Sequence, residues 1–385
     1  MIIKNLLKHY NYIFSGAGLS SLMTVYKMVL SKNFQDKSIL LVDFDAKKTN
    51  DRTWCFWEKR GHEWENLVSK KWNGAFFANK EFSKKLNLFP FEYNMIRGLD
   101  FYNHVFETLK KHDNISFIND KVVNFIDNSQ DVRLICESET YSCDKLFNSI
   151  YNKTQTETQT KYPVLQQHFV GWFIKSDQEV FDEHTATFMD FSVQQNGNTK
   201  FMYVLPTSKT EALLEPTLFS HKHLKLEEYE FEIQNYAKKL GIKNFEIVEK
   251  ERGSIPMTSY KFWKNNTQNV LHIGTAGGWT KASTGFTFFH ANKKSNQLIE
   301  FLKTETNFSK FHQSSRFWCY DLIFLDVLDK QNELGSAVFS SLFLKGNHEL
   351  IFKFLNEETT FWQEIQVMWR CPKVPFIRAF FRVLF

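Results

Sequence analysis

Residues 10–21, Tyr10-Asn11-Tyr12-Ile13-Phe14-Ser15-Gly16-Ala17-Gly18-Leu19-Ser20-Ser21, carry the reading that decides the fold. Tyr10–Ser15 reads as a buried strand, Gly16 to Ser21 fits G-x-G-x-x-S, and Leu22 to Leu30 has helical spacing. Ser38–Asp43 is a second apolar run. Strand, glycine turn, helix and strand make a βαβ unit with parallel pairing. In such a unit the first glycine, Gly16, allows the tight turn, and the second, Gly18, lets backbone approach a pyrophosphate. The helix N-terminus then offers N–H donors and its dipole to the anion. Ser21 stands in the third glycine's place and is small enough for close helix–strand packing. Asp43 ends the second strand, where a carboxylate accepts hydrogen bonds from ribose hydroxyls. A tight turn without ligand is the alternative. The unit's place at the start of the chain favours FAD over NAD, with the rest of the cofactor site far downstream.

That second half is read in Leu271-His272-Ile273-Gly274-Thr275-Ala276-Gly277-Gly278-Trp279, a strand running into a glycine turn. The backbone amides around Gly274, Gly277 and Gly278 are candidates to meet the flavin side of a dinucleotide. Thr275 stands where many flavoproteins place Asp, so a glycine-rich helix start with no ligand stays open.

The chain has 385 residues, 43% hydrophobic and 24% charged, which suits a globular protein of two or three domains. Only 15 Gly and 7 Pro argue against linker-rich or low-complexity architecture. Aromatic content is high, with 41 Phe, 13 Tyr and 10 Trp, and suits a protein that handles a large, flat, apolar molecule. The net charge of +5 is dispersed, without the basic stripe of a nucleic-acid binder. The 5 Cys form no C-x-x-C pair and are expected as reduced thiols. No apolar run approaches the ~20 residues that cross a bilayer. Lys4, Lys8 and His9 interrupt the N-terminal apolar stretch, so no signal peptide is expected and the localisation read is cytoplasmic.

Phe101, Val105 and Leu109, with Tyr102 and Phe106, mark an amphipathic helix. Ile115–Phe117, Val122–Phe125 and Val132–Cys136 read as short antiparallel strands. Lys153 to Lys161 is the best linker candidate. A β-rich stretch follows over Gln166–Ile174, Thr185–Phe191, Lys200–Pro206 and Glu211–Ser220; Leu226–Leu240 is helical, and the chain is mainly helical from about His290. The expected fold class is α/β (α+β). A Rossmann-type FAD-binding domain is formed by residues 1–155 and 250–300, a β-rich substrate domain by 156–249, and a helical region by 301–385.

Several segments together resemble one family, the lycopene β-cyclases of carotenoid biosynthesis. Asn50-Asp51-Arg52-Thr53-Trp54-Cys55-Phe56-Trp57 is similar to the motif after the second strand, and Ile96-Arg97-Gly98-Leu99-Asp100-Phe101-Tyr102 to the segment opening the next helix. Gln167 to Trp172, Phe188-Met189-Asp190-Phe191, Phe201 to Pro206 and Ala212-Leu213-Leu214-Glu215-Pro216-Thr217 resemble the central substrate region. Gly253 to Met257 and Gly277 to Phe286 resemble the second flavin region. The resemblance implies a fold like the aromatic hydroxylases and geranylgeranyl reductases, with reduced FAD that is not consumed and NAD(P)H as reductant. It implies lycopene as substrate, converted through γ-carotene to β-carotene, and other carotenoid enzymes as candidate partners. A flavin oxidoreductase acting on a lipophilic isoprenoid, and a carotenoid-binding protein without turnover, are the alternatives.

Cyclising a polyene end requires a proton on an alkene carbon, ring closure through a carbocation, and proton loss. A carboxylic acid in an apolar pocket keeps its proton because desolvation penalises the carboxylate. Glu215 fits, flanked by Ala212, Leu213, Leu214, Pro216 and Leu218; a half-exposed strand Glu is the alternative. Asp190 is the second acid, as relay or partner to Glu215. Trp54, Trp57, Trp172, Phe201, Tyr203 and Trp279 are candidates to line the substrate site, where aromatic faces attract a cation by ~0.5–2 kcal/mol each; ordinary core packing is the alternative for any one. Arg52 is a candidate partner of the flavin or its phosphates. Glu357 and Glu358 read mainly as surface helix residues. His221-x-His223 lacks a carboxylate or third ligand, so no metal site is expected. At the C-terminus, Phe376, Phe380 and Leu384 share a helical face, and Arg378 and Arg382 lie four apart. Such a helix suits a membrane surface, implying peripheral association, or it docks on the protein's own core.

Overall fold

The computed structural model describes residues 7–384 apart from the side chains of Lys345 and Leu384; Lys4 also lies outside the described residues. The chain opens with β1 (Lys8–Ser15), α1 (Leu19–Ser31) and β2 (Ile39–Asp43). There follow β3 (Thr53–Lys59), β4 (Lys70–Trp72), β5 (Gly74–Ala78), β6 (Ser83–Asn87), β7 (Phe91–Arg97) and α2 (Gly98–Leu109). Next come β8 (Ile115–Asn119), β9 (Val122–Asp127), β10 (Val132–Cys136), β11 (Thr140–Asn148) and α3 (Lys153–Glu157). The central part holds β12 (Leu165–Ser176), β13 (Thr185–Asp190), β14 (Thr199–Pro206), β15 (Glu211–Ser220), α4 (Leu226–Lys239), β16 (Phe245–Met257) and β17 (Val270–His272). The remainder is helical: α5 (Phe288–Leu302), α6 (Arg316–Lys330), α7 (Gly335–Lys345), α8 (His348–Leu355), α9 (Phe361–Met368) and α10 (Lys373–Leu384).

The first sheet runs β8-β2-β1-β11-β10-β9, with β17 beside the end of β11. β1 pairs in parallel with both β2 and β11, as the βαβ reading requires. Ile115–Phe117 departs from the antiparallel expectation. As part of β8 it pairs in parallel with β2, Ile39 opposite Ile115, because α2 returns the chain in the same direction to cover the outer edge of the wholly buried β2. Phe14 and Phe147 stack at 4.4 Å between neighbouring strands, and α1, α2 and α5 supply much of the rest of that core. Burying one such ring stabilises the fold by ~1.5–3 kcal/mol.

The second sheet runs β16-β12-β15-β14-β13-β5-β6. Residues 74–87, read as part of the nucleotide unit, therefore add β5 and β6 to the sheet of the central region. Successive side chains point to opposite faces, and β14 and β15 are buried at nearly every position, so the sheet has two buried faces. Met202, Val204 and Leu214 pack with Tyr229, Ile233 and Tyr236 of α4. Phe201, Tyr203, Leu205 and Leu213 face the other way, toward the core shared with Phe339, Phe343 and Phe352 of α7 and α8. A small third sheet has the order β3-β7-β4. The expected linker Lys153 to Lys161 includes α3. Asn152 caps it by accepting from Thr154 N–H at 3.1 Å, and the buried Thr156 hydroxyl lies 2.6 Å from Tyr151 Oη.

Candidate active site

β1 ends in Gly16, whose φ of +88° is one L-residues rarely adopt. Gly18 then caps α1 without a side chain, and a Cβ there would meet nothing within 4 Å. The first turn of α1 therefore opens onto free space with its N–H groups unsatisfied along the helix. That space is a cavity of about 450 Å3, which runs from Gly18, Leu19 and Ser20 past Gly274 to Glu215. Arg52, Trp54 and Tyr203 line it. Gly274 has φ +59° and approaches the Ser20 side chain, so the two glycine turns meet where the cavity begins. Two buried polar atoms on its wall, Gln167 Oε1 and Thr284 Oγ1, have no hydrogen-bond partner. A bare helix N-terminus, glycine backbone open to approach and unpartnered polar groups fit the needs of a dinucleotide.

Other expected cofactor residues work behind that wall. Ser21 is fully buried, in keeping with its helix-packing role, and is not on the cavity wall. The Asp43 carboxylate accepts from Ala17 N–H at 2.6 Å and Asp45 N–H at 2.8 Å, with Lys47 Nζ at 3.6 Å. It braces the glycine turn and does not line the cavity. Gly277 and Gly278 close the turn after β17: a Cβ on Gly277 would stand 2.1 Å from His272 O, and Gly278 has φ +69°. They face a separate polar cavity together with Trp279.

The far end of the main cavity is built by strands. Glu215 on β15 is buried, with Tyr203 as its partner on β14. Burial and then the charge of Glu251 push the Glu215 carboxyl well above the ordinary range, against one opposing hydrogen bond from Thr217 Oγ1 at 2.9 Å. Glu251 on β16 hydrogen-bonds Glu215 and also accepts from Thr53 Oγ1 at 2.6 Å. Burial raises Glu251 too, opposed by Thr53 and by the Arg97 charge. Arg97 Nη2 lies 2.7 and 2.6 Å from the two Glu249 oxygens, and Nη1 donates to Thr53 Oγ1 at 3.1 Å. Burial likewise raises Tyr203, Tyr93 and Cys55, so neutral hydroxyls and a neutral thiol surround the acid. Glu215 faces the cavity with its carboxyl biased toward the protonated form by burial and the neighbouring Glu251 charge.

Asp190 is elsewhere. It points to the α4 face of the second sheet, where Tyr236 Oη donates at 2.7 Å, Lys239 Nζ lies at 3.2 Å and Ser192 N–H donates at 2.8 Å. Burial would raise it, but the Ser192, Tyr236 and Lys239 donors hold it below the usual carboxylate range. It neither relays to nor partners Glu215, because the bulge between Thr187 and Asp190 on β13 sets it opposite Met202, on the α4 face.

Four of the expected lining rings are core residues. Trp172 follows Gly171 and so faces the α4 side, against Phe245 and under Lys250 Nζ at 4.8 Å. Trp57 stacks on Phe352 at 4.7 Å and donates to Asn356 Oδ1 at 3.0 Å. Phe201 is closed off by Phe191, Tyr203 and Phe219. Trp279 packs near Phe311 in the first core. Glu357 is not on a surface helix: it follows α8 in a left-handed turn and pairs with the buried Lys281 Nζ at 2.9 Å. Opposing its burial, Lys281 and His290 bring it down to about 2. Glu358 is exposed beyond the same turn.

Sequence reasoning missed Glu251, Thr53, Tyr93 and Arg97. A signal existed for Thr53 and Arg97, since each sits inside a quoted motif. The structure joins those motifs: Gly98 N–H donates to Arg52 O at 2.7 Å, Tyr102 Oη to Asp51 Oδ1 at 2.8 Å, and Leu99 N–H to Asn50 Oδ1 at 3.2 Å. Glu251 lies in the charged run Glu249-Lys250-Glu251-Arg252, which reads as a solvated strand until β12 is laid beside it. Of the expected His pair, His223 Nε2 lies 2.9 Å from Ser254 Oγ, and His221 Nε2 lies 3.2 Å from Asp329. No group of His, Cys, Asp and Glu suited to a metal occurs among the described residues.

The C-terminal helix docks in part on the protein's own core. Arg382 binds Asp326 of α6 and Ala379 is buried, while Phe376 points inward to an apolar cavity among α6–α9. Val374, Ile377 and Phe380 of this helix are exposed, as are Phe361, Trp362 and Trp369 of α9 and its end, Trp362 and Trp369 at 73% and 71%. Leu384, expected on the same face as Phe376, has its side chain outside the described residues. No helix among the described residues is long and apolar enough to cross a membrane.

Comparison with solved structures shows the fold. A geranylgeranyl bacteriochlorophyll reductase-like protein from Thermoplasma acidophilum is similar over 98% of this chain and 100% of its own, with a TM-score of 0.57 and 9% identity. The flavin-dependent brominase Bmp2 is similar over 91% and 94%, with a TM-score of 0.59 and 10% identity. A structure of the halogenase PltM in complex with FAD is similar over 89% and 78%, with a TM-score of 0.56 and 10% identity. No curated protein matches the sequence. The profile of the family described as lycopene cyclase protein, however, matches residues 12–381, which take in both glycine turns and the acid between them; this chain belongs to that family.

Proposed function

We propose that this protein is a lycopene β-cyclase, which converts the acyclic ends of lycopene to β-rings without net oxidation and uses FAD in its reduced form, with NAD(P)H as the reductant. The observation that carries this reading is Glu215: a buried carboxyl, pushed well above the ordinary range by burial and the Glu251 charge, at one end of a cavity whose other end is the glycine-turn helix terminus. Family membership supports a carotenoid substrate, and similarity to FAD-bound and other flavoprotein folds supports the cofactor.

Gly16–Ser20, Gly274 and Arg52 would hold the dinucleotide, and reduced flavin, when bound, supplies an electron-rich face that stabilises a positive centre. The residues of the chain do the rest. Thr217 hydrogen-bonds Glu215 Oε1, which orients the carboxyl and leaves the acid aimed into the cavity. Glu215 gives its proton to the terminal alkene carbon; the ring closes on the tertiary cation, and a proton lost from the ring restores the acid. Trp54, Tyr93 and Tyr203 face the same space and favour a cation over their rings. Leu205, Leu213 and Phe286 keep water from quenching it. The exposed aromatic face of α9–α10, with Lys373 and Arg378 beside it, suits a peripheral seat on a membrane where such a hydrocarbon dissolves.

The test is anaerobic, photoreduced enzyme with lycopene in D2O. The expected product carries β-rings with deuterium and forms without stoichiometric NADPH use. Hydroxylated or hydrogenated product would instead make the protein an oxidoreductase, and unchanged lycopene a binding protein.

A further inference from the structure

Gly171 lies in the middle of β12, where the backbone has no need of glycine, since its φ is not in the left-handed region. A glycine inside a strand weakens it, so this one answers to space. β12 runs between β15 and β16. It pairs Gly171 with Glu251 on one side, and on the other its pairs Phe169–Thr217 and Trp172–Leu214 bracket the level of Glu215. A Cβ on Gly171 would stand 2.7 Å from Leu213 Cδ1, 3.1 Å from Glu251 Cγ and 3.2 Å from Glu215 Oε2. Two carboxyl groups from strands on either side of β12 therefore meet over its bare backbone.

We infer that Glu215 and Glu251 share one proton across Gly171, with Glu251 as the positioning residue that holds the pair's negative charge and leaves the proton on Glu215. The donors divide the roles. Glu251 Oε2 takes the Thr53 hydroxyl, itself held by Arg97, whereas Glu215 has only Thr217. Arg97 is committed to both oxygens of Glu249 and reaches Glu251 through Thr53. The other titratable groups facing the pair are Cys55 on β3, Tyr93 on β7 and Tyr203 on β14, all neutral. Two carboxyl groups this close do not both ionise at neutral pH, so one acidic proton is kept there. Its transfer to an alkene carbon takes the pair from one negative charge to two, facing one carbocation. The proton released from the ring returns to the pair, and charge and protons balance.

This inference rests on the cyclase reading for its chemistry but not for its measurement. Infrared difference titration of the FAD-loaded protein should show a protonated carboxyl band that shifts in D2O, is lost in Glu215→Gln and titrates at lower pH in Glu251→Gln. The alkaline limb of the turnover profile should move down by about one pH unit or more in Glu251→Gln, because the like charge that raises Glu215 is gone. Glu251→Asp should restore part of the shift, and Gly171→Ala, where it folds, should move the limb the same way by prising the carboxyls apart. Coincident alkaline limbs and an unmoved carboxyl band in Glu251→Gln would overturn the shared proton, even with lowered turnover. A band that titrates as expected in a wild-type protein that leaves lycopene unchanged would uphold the pair and overturn the cyclase reading alone.

Discussion

Asp190 and Glu215 are buried carboxyl groups of the same sheet, one on each face, and their surroundings shift them in opposite directions. Both suffer the desolvation that favours the neutral form. Asp190 meets a tyrosine hydroxyl, a lysine and a backbone N–H on the α4 side, and these donors outweigh burial. Glu215 meets one threonine hydroxyl and a second carboxyl on the cavity side, and burial wins. Depth alone does not decide whether an acid is charged; the donors that reach it do. One face is thereby built for stability and the other for proton transfer.

The comparison breaks first at Glu215. Replacing it by Gln should retain FAD binding while turnover falls by ~10²–10⁴-fold, the usual range for a general acid. Steady-state assay of the flavin-loaded variant decides this, and full turnover would remove Glu215 from the chemistry. Next, Trp172→Ala on the α4 face should cost ~3–5 kcal/mol of stability through cavity formation, with turnover per folded flavoprotein within about twofold of wild type. Denaturant unfolding alongside the assay separates the two. Asp190→Asn should cost ~1–3 kcal/mol by disturbing a buried hydrogen-bonded charge, again without loss of turnover. A collapse of activity in the folded protein would restore Asp190 to the site.

The smallest effects are in pH dependence. Glu215 has its folded value raised, so the folded state binds more protons than the unfolded one above the ordinary carboxyl range. Its contribution opposes stability increasingly as pH rises from that range toward the folded value, and Glu215→Gln should flatten this loss. Asp190 is lowered: its stabilisation is present above the unfolded carboxylate value and fades as pH falls through the folded one, so Asp190→Asn should flatten the acid limb. Urea midpoints across pH test both slopes, and equal slopes in wild type and variants would erase the contrast between the faces.

Much of this was legible in the chain. Tyr10–Asp43 announced its βαβ unit because a buried apolar strand, a glycine turn and helical spacing are local features. The strands from Gln166 to Ser220 and the acid at Glu215 were legible for the same reason, an apolar environment written in adjacent residues. The parity of Trp172 was not, since either face of a sheet buried on both sides reads as apolar.

The sequence by itself determined the glycine-turn nucleotide fold, the strand content of the central region, the motifs that mark the family, and Glu215 as a carboxyl among apolar neighbours. Tertiary structure alone decided that Asp190 turns away, that Gly277 and Gly278 shape a turn off the main cavity, and that Glu251 meets Glu215 over Gly171. Periodicity and turn chemistry act within a few residues and so appear in order along the chain. Strand neighbours such as positions 171, 215 and 251 become adjacent only when sheet order and register are set, and the charge of an acid follows from those neighbours.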